Sequence, residues 1–252
     1  MMTYWIFHLV FMLPVISVLF YLNHRAGSQV FPRTGWGFAS IAAIALIYTT
    51  PWDNYLVWRG VWSYTDDRIS ESLRIGWVPL EEYCFFLLQP LLTGQFLLFF
   101  ARRHVDDLEN WTVRTTPGWT VRLGGAAFFL LIGLIGGLAL WSGGRWTYLG
   151  LILVWACPVL MGQWIYGGDH LWRAGRVYRA TLISATAYLW VVDWIAIDWH
   201  IWHISAEFSS GWNFIGLPFE EAVFFLITNL LVIQGLLLFF EFVINRRRKA
   251  QV

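Results

Sequence analysis

The sequence predicts an all-α integral membrane protein. Of its 252 residues, 58% are hydrophobic and only 13% are charged, and they include 18 Trp and 20 Phe. A soluble domain of this size does not reach such an apolar fraction. Stretches of about 20 apolar residues, the length needed to cross the hydrocarbon layer, recur along the chain. The seven predicted transmembrane helices are 3–22, 36–57, 79–100, 123–142, 146–166, 178–198 and 218–243.

The basic residues predict how the chain crosses the membrane. Threading the chain through the seven spans places thirteen Lys and Arg on one side and four, Arg59, Arg68, Arg74 and Arg145, on the other. The positive-inside rule then puts the N-terminus outside and the C-terminus in the cytoplasm. The first span lacks a basic segment before it and a cleavage site after it, so we interpret it as a retained helix. We expect a multi-pass protein of the cell (plasma) membrane.

Two of the predicted spans are copies of one another. The segments "PLEEYCFFLLQPLLTGQFLLFF" (79–100) and "PFEEAVFFLITNLLVIQGLLLF" (218–239) agree at 12 of 22 positions. Upstream, at nearly the same offset, Arg33 corresponds to Arg173, Asp53 to Asp193 and Trp62 to Trp202. These matches predict an internal duplication.

The duplication also predicts the organisation of the chain. We expect a single membrane domain (1–252) with a first repeat (1–105), a connector helix (120–145) and a second repeat (146–245). An offset of four spans preserves the orientation of each helix. The two three-helix units are therefore predicted to be parallel repeats, unlike the inverted repeats of many transporters.

Each repeated segment carries a pair of acids, Glu81 and Glu82 in the first copy and Glu220 and Glu221 in the second. One interpretation is helix-end chemistry, because Pro suits the first helical turn and Glu there interacts favourably with the helix dipole. The doublets recur in both halves, however, and each precedes "FF" with no Lys or Arg nearby. This recurrence favours a functional role.

Further acids are predicted at a similar depth, namely Asp53, Asp193 and Asp198. Acids at membrane depth normally face the bundle interior, a cavity or a partner. Helical spacing places Glu81 on one stripe with Gln95, and Glu220 on one stripe with Gln234. We therefore take Glu81 and Glu220 as the first candidates for catalytic acids. Glu82, Glu221, Asp53 and Asp193 are supporting candidates.

Aromatic residues, Tyr64 among them, crowd the same end of the predicted helices. An interfacial aromatic belt explains such a cluster, but aromatic faces also stabilise cations. A proton donor, aromatic faces and exclusion of water are what protonation of a hydrocarbon alkene requires. The candidates for contact with a substrate or cation are Trp58, Trp62, Trp77, Tyr83, Phe85, Trp199, Trp202 and Phe224.

No cofactor or metal is expected. The sequence has no dinucleotide fingerprint or phosphate-binding loop, and Cys84 and Cys157 lie inside predicted spans. His200 and His203 lie near Asp198, but two imidazoles in a predicted loop are more often interfacial polar residues than metal ligands. The net charge of +1 indicates no nucleic-acid partner.

These residues together carry a family resemblance. The duplicated helices "PLEEYCFF" and "PFEEAVFF", the preceding segment "TPWDNYLVWRGVWSY" and the short seven-span chain resemble the membrane-integral, flavin-independent lycopene β-cyclases. That family occurs as two subunits or as one fused chain, and this chain resembles the fused form. The resemblance covers essentially the whole length.

The resemblance implies a cofactor-free, non-redox cyclisation of the linear ends of lycopene to β-ionone rings, giving γ-carotene and β-carotene. A carboxylic acid would protonate the terminal double bond, the neighbouring alkene would attack the tertiary cation, and a base would remove a ring proton. Glu81 and Glu220 are the residues carried over first. The implied partners are lycopene and other linear carotenoids, membrane lipid and other carotenoid-pathway enzymes.

Two other functions fit the same residues. A carotenoid hydratase of similar architecture would let water, not an alkene, capture the cation. A proton-coupled membrane transporter would use the intramembrane acids for coupling. The second half reads "VVDWIAIDW" where the first reads "TPWDNYLVW", so the two halves are not equivalent around the aspartate. The sequence therefore predicts either one active site that is used twice or two separate sites.

Overall fold

The computed structural model describes residues 2–27, 30–70, 73–105, 108, 111 and 118–250. Arg114, one of the thirteen basic residues predicted for the cytoplasmic side, lies outside these ranges. Within them the chain is almost entirely helical. The long helices are α1 (Tyr4–Arg25), α2 (Thr34–Arg59), α3 (Leu80–Arg103), α4 (Trp119–Ser142), α5 (Thr147–Arg173), α6 (Gly175–Asp198) and α7 (Phe219–Lys249). Helix α1 contains a π-helical turn at His8–Met12, just before Pro14.

Short strands connect the helices at the end of the bundle that carries the glutamate pairs, which we call the acid end. They are β1 (Trp62–Tyr64), β2 (Arg74–Ile75), β3 (Val78–Pro79), β4 (Trp202–Ile204), β5 (Asn213–Phe214) and β6 (Leu217–Pro218). Strands β2 and β3 form a small hairpin before α3, and β5 and β6 form another before α7. Both Pro-x-Glu-Glu segments therefore leave a hairpin and enter a helix at the same point.

The helices confirm an all-α membrane protein. Six of them are long and apolar enough to cross a membrane: α1, α3, α4, α6, the segment Gly144–Arg173 that contains α5, and the segment Phe219–Arg247 of α7. Helix α2 coincides with the predicted span 36–57 but is not among these six. Its second half carries Asp53, Asn54 and Arg59, which lower its hydropathy. A seventh span through α2 stays a prediction.

Helices α3 and α7 form the centre of the bundle. Helix α3 packs against α1, α2 and α6, whereas α7 packs against α5, α6 and α2. The two central helices also contact one another. Because these helices carry the glutamate pairs, the packing brings the two acid segments together in the interior.

A buried polar network joins the central helices below the acids. The Asn229 side chain of α7 accepts hydrogen bonds from Gln89 Nε2 at 2.9 Å and from the Thr93 hydroxyl at 2.6 Å. Its amide nitrogen donates to Thr186 Oγ1 of α6 at 3.1 Å. Polar groups in an apolar interior are costly unless they are hydrogen-bonded. This network therefore specifies the register between α3, α6 and α7.

The connector helix α4 packs along α5 and leaves most of its other side chains exposed. Two glycines permit the close approach. A Cβ atom at Gly136 would lie 2.5 Å from Leu153 Cβ, and one at Gly150 would lie 2.6 Å from the backbone nitrogen of Leu140. Small residues let membrane helices approach closely, so α4 is held by α5 outside the central bundle.

Candidate active site

A small cavity lies between the two halves of the chain at the acid end. It has a volume of about 20 Å³, enough for one water molecule. Its polar lining includes Glu82 from α3, Glu221 from α7 and Asp193 from α6. The remaining lining is aromatic: Tyr4, Trp62, Tyr64, Phe85, Trp202, Phe224 and Phe225. We call this space the acid cavity.

Glu82 is held by two tyrosines. Its Oε2 atom accepts hydrogen bonds from the Tyr4 hydroxyl at 2.8 Å and from the Tyr64 hydroxyl at 3.0 Å. Burial and then the neighbouring Glu82 carboxylate raise the pKa of Tyr64, which lies on β1, well above its usual value. Tyr64 therefore keeps its proton and remains a hydrogen-bond donor. Hydrogen bonds to a carboxylate are among the stronger ones in proteins, so the two phenols fix the side chain of Glu82.

Glu221 is held in a corresponding way by the other half. Its Oε1 atom accepts a hydrogen bond from the Tyr148 hydroxyl at 2.6 Å. Asp193 lies beside it and accepts a hydrogen bond from the Trp202 indole at 3.1 Å. The second oxygen of Asp193 is buried without a hydrogen-bond partner among the described residues. The Asp193 carboxyl lies next to that of Glu221, so the two groups can share a proton.

The first glutamate of each pair has a different environment. Glu81 accepts a hydrogen bond from the backbone N–H of Ser70 at 2.8 Å, and Glu220 accepts one from the backbone N–H of Ser210 at 2.7 Å. Both side chains are fully buried, yet neither lines the acid cavity. Each ties a connecting loop to the start of its helix, and the second carboxyl oxygen of each is buried without a hydrogen-bond partner among the described residues.

Asp53 is buried but does not line the acid cavity. Neither of its side-chain oxygens has a hydrogen-bond partner among the described residues. Its counterpart Asp193 has one, the Trp202 indole. Trp62, the counterpart of Trp202, does not bond to Asp53; its indole N–H lies toward Tyr148 and Glu221 of the second half. The two halves therefore differ at this aspartate.

The structure brings together only some of the predicted aromatic residues. Trp62, Phe85, Trp202 and Phe224 line the acid cavity. Tyr83 is buried outside that lining, where its hydroxyl donates to the Ile75 carbonyl at 2.7 Å. By contrast, three tryptophans of the set are exposed and suit an interfacial belt: Trp58, Trp77 and Trp199.

Two tyrosines that donate to the cavity glutamates, Tyr4 and Tyr148, were not among the predicted site residues. A signal for both is present in the sequence. Thr-Tyr opens both α1 and α5, and a proline follows ten residues later in each, at Pro14 and Pro158. Extending the repeat to these helices pairs Tyr4 with Tyr148. Their contacts with the glutamates span more than seventy residues of sequence and required the fold.

His200 lies just before β4 and His203 lies within it, and neither lines the acid cavity. Their rings stack at 5.4 Å between centroids, and a ring nitrogen of His203 lies 2.8 Å from the Thr65 hydroxyl. The pair thus connects the two halves at the surface of the acid end.

The acid cavity combines two features. Carboxyl groups that can give or take a proton lie in a space with almost no room for water, and aromatic faces surround them. Trp62 packs edge-to-face on Phe224, with ring centroids 5.7 Å apart. Such faces carry negative electrostatic potential and stabilise a cation. The arrangement suits proton transfer to an apolar molecule followed by protection of the resulting carbocation.

Carboxyl groups in a buried aromatic cavity of a helical membrane protein fit a membrane enzyme that works by acid–base chemistry on an apolar substrate. Residues 2–100 and 145–242 match the model of a family described as Lycopene cyclase. The chain therefore belongs to the lycopene cyclase family. The unmatched middle contains α4, outside the central bundle. No solved structure matches the chain significantly.

Individual relatives agree with the family match. The chain is 37% identical to a lycopene beta-cyclase of Halobacterium salinarum over 206 residues, which cover 81% of each protein. It is 30% identical to a bifunctional lycopene cyclase/phytoene synthase of Podospora anserina over 95% of this chain and 40% of that one. A bifunctional protein of the same description from Pyrenophora tritici-repentis is 36% identical over 79% of this chain and 35% of its own length.

Proposed function

We propose that the protein is a lycopene β-cyclase that converts the linear ends of lycopene to β-ionone rings, giving γ-carotene and then β-carotene. The observation that carries this proposal is the placement of Glu82 and Glu221 in one aromatic cavity. The reaction is an isomerisation, because the proton that enters at the terminal double bond is balanced by one lost from the ring. It needs no redox cofactor.

We assign the two proton transfers to Glu82 and Glu221 and not to Glu81 and Glu220. One glutamate gives its proton to the terminal alkene, and the next alkene attacks the tertiary cation to close the ring. The other glutamate removes a ring proton. Glu82, with two phenolic donors, is the better-stabilised carboxylate and suits the base. Glu221, with one, suits the acid, and Asp193 beside it supports the return of the proton.

The aromatic lining directs the fate of the cation. Trp62, Trp202 and Phe224 stabilise positive charge through their ring faces. Because the cavity holds little more than one water molecule, intramolecular attack by the alkene is favoured over capture by water. Capture by water would make the protein a carotenoid hydratase. The family match does not favour that alternative or a transporter.

We propose that the whole chain is one membrane domain of two parallel repeats (1–105 and 146–245) joined by the connector (120–145). The two separate family-matched segments on either side of residue 120 support this division. We also propose seven spans, an outside N-terminus, a cytoplasmic C-terminus and residence in the plasma membrane. The distribution of Lys and Arg supports that orientation.

Linear carotenoids and membrane lipid are the proposed partners. Fungal relatives are described as combining lycopene cyclase and phytoene synthase in one chain. That combination supports contact between this protein and other enzymes of the carotenoid pathway.

Expression in a lycopene-accumulating bacterial host tests the proposal. We expect conversion of lycopene to cyclic products of unchanged mass, separated by pigment chromatography, without an added cofactor. The Glu82→Gln, Glu221→Gln double variant is the negative control. A product heavier by one water would identify a hydratase. Unchanged lycopene with well-expressed wild-type protein would overturn the cyclase function.

A further inference from the structure

A second cavity opens on the side of the bundle, deeper than the acid cavity. It lies between α2, α5 and α7, touches α3 at Gln89, and has a volume of about 80 Å³. We call it the side crevice. Its lining includes Ile41, Ile44, Ala45, Tyr48, Thr49 and Trp155. Ile44 and Tyr48 are exposed on the surface of the bundle, so the crevice opens laterally, where a bilayer would surround α2.

An aromatic layer separates the side crevice from the acid cavity. Trp155, in the wall of the crevice, stacks on Trp52 with ring centroids 4.6 Å apart. Trp52 stacks in turn on Phe224, at 5.7 Å and nearly parallel. Phe224 lines the acid cavity. The two cavities are therefore one aromatic layer apart, and that layer consists of Trp52, Trp155 and Phe224.

The helices on either side of the crevice are joined mainly by side chains. Few residues of α2 and α5 approach each other closely. The Tyr48 hydroxyl donates to the Trp155 carbonyl at 2.7 Å, and the Trp52 indole donates to the Leu151 carbonyl at 3.3 Å. Side-chain bridges of this kind can change rotamer without disturbing a packed helix interface. This wall can therefore open with little loss of helix packing.

The size of the acid cavity makes such an opening necessary. A space of about 20 Å³ holds one water molecule and not the end of a lycopene molecule. The remainder of a linear C40 polyene also needs an apolar path out of the protein. The crevice supplies one, because its α2 wall runs from Ile41 to Thr49, or about 12 Å along the helix axis.

We propose that the side crevice is the binding site for the linear polyene chain of the substrate, and that the aromatic layer moves to admit one end of that chain to the acid cavity. This inference rests on the proposed cyclase function. The occupant follows from the crevice itself: it is elongated, mostly apolar, open toward lipid and adjacent to the acids. Ala45 is the smallest side chain in its lining, so a larger residue there obstructs the site.

A series at Ala45 tests the proposal. Ala45→Val, Ala45→Leu and Ala45→Trp fill the crevice progressively, and we expect cyclisation to fall in that order, by at least about tenfold for Trp. Ala43→Trp is the matched control, because Ala43 is exposed on the same helix and is absent from the crevice lining. Its activity should stay within about twofold of wild type.

Binding is measured separately in the Glu221→Gln background, which cannot complete the reaction. Purified protein should retain bound lycopene, detected by its visible absorbance, and Ala45→Leu and Ala45→Trp should lower that amount while Ala43→Trp should not. Monodisperse elution in detergent confirms that each variant folds.

The outcomes distinguish this inference from the function. If wild-type protein does not cyclise lycopene, the function fails. If it does, and folded Ala45→Leu and Ala45→Trp match Ala43→Trp in activity and bound lycopene, the crevice holds only lipid and the inference is overturned.

Discussion

Ser63 lies directly opposite His203 in the antiparallel pair of strands β1 and β4, and the two residues occupy equivalent positions in the two halves of the chain. On either side, Trp62 faces Ile204 and Tyr64 faces Trp202. The two strands are equivalent in the repeat, and they pair antiparallel with their equivalent residues opposite each other. A two-fold axis between the two halves generates this arrangement. The contacts of Tyr4 with Glu82 and of Tyr148 with Glu221 repeat on both sides of this axis, which supports the predicted duplication.

The second glutamate of each pair should matter more for catalysis than the first. Glu82→Gln and Glu221→Gln should each lower cyclisation by about 10²–10⁴-fold, because the amide can neither give nor take the required proton. Product formation from lycopene in membranes, normalised to protein, measures the effect.

Glu81→Gln and Glu220→Gln are the matched controls. The amide oxygen of Gln can still accept the hydrogen bond from Ser70 or Ser210, so we expect losses below about tenfold. If both controls lose cyclisation activity by about 10²-fold or more while the Glu82 and Glu221 variants stay active, the first glutamate of each pair is the catalytic acid.

The tyrosine donors should have unequal effects. Tyr148→Phe removes the phenol that contacts Glu221, whereas Tyr4→Phe leaves Glu82 with Tyr64. A hydrogen bond to a charged group contributes about 1.5–3 kcal/mol, so Tyr148→Phe should slow turnover by about 10–100-fold and Tyr4→Phe by less.

The combined Tyr4→Phe, Tyr64→Phe variant should then lose more activity than the product of the two single effects. Initial rates over a range of lycopene concentrations give this comparison. Equal losses for Tyr4→Phe and Tyr148→Phe, with a strictly multiplicative double variant, would contradict the assigned contacts.

The buried network around Asn229 should stabilise the bundle. Asn229→Leu leaves the Gln89 amide and the Thr93 hydroxyl without their shared acceptor, and we expect a loss of about 1–3 kcal/mol. Thermal aggregation of detergent-purified protein, followed by size-exclusion chromatography, reports the change. Thr228→Val is the control, because its hydroxyl donates only within its own helix, to the Phe225 carbonyl. Equal thermal stability of the two variants would argue against the network.

Cysteine labelling tests the predicted orientation. In a Cys84→Ala, Cys157→Ala background, Ile215→Cys marks the second hairpin of the acid end and Trp172→Cys marks the opposite end, and both positions are well exposed. In intact cells a membrane-impermeant maleimide should label Ile215→Cys and not Trp172→Cys. Both should react after the membrane is opened. The reverse pattern would place the acid end in the cytoplasm.

Much of the architecture could be predicted from the sequence, because the bilayer imposes a length and an apolarity on each helix. The pairing of Glu82 with Glu221 in one cavity follows from the repeat once α3 and α7 are known to be central. The sequence favours Glu81 through a helical stripe that ends at Gln95. In the structure Gln95 accepts a hydrogen bond from Asn23 of α1, so that end of the stripe packs between helices, whereas Phe85 on the same stripe lines the acid cavity.

The loops account for what the sequence did not predict. The chain before each hairpin folds over the start of the following helix. There the backbone N–H of Ser70 donates to Glu81, and that of Ser210 donates to Glu220. Such a contact depends on the path of an irregular segment, for which no periodicity exists. The same holds for Tyr64, which reaches Glu82 only because β1 crosses the acid end to pair with β4.

The two halves contribute one glutamate each to a shared cavity, so the proposed assignment gives the protein one active site. A lycopene molecule has two identical termini, and on this assignment only one can occupy that site at a time. The singly cyclised molecule must withdraw, reverse end for end within the lipid and enter again. Time courses should therefore show γ-carotene rising before β-carotene, and dilution of the enzyme among many vesicles should leave the half-finished product behind.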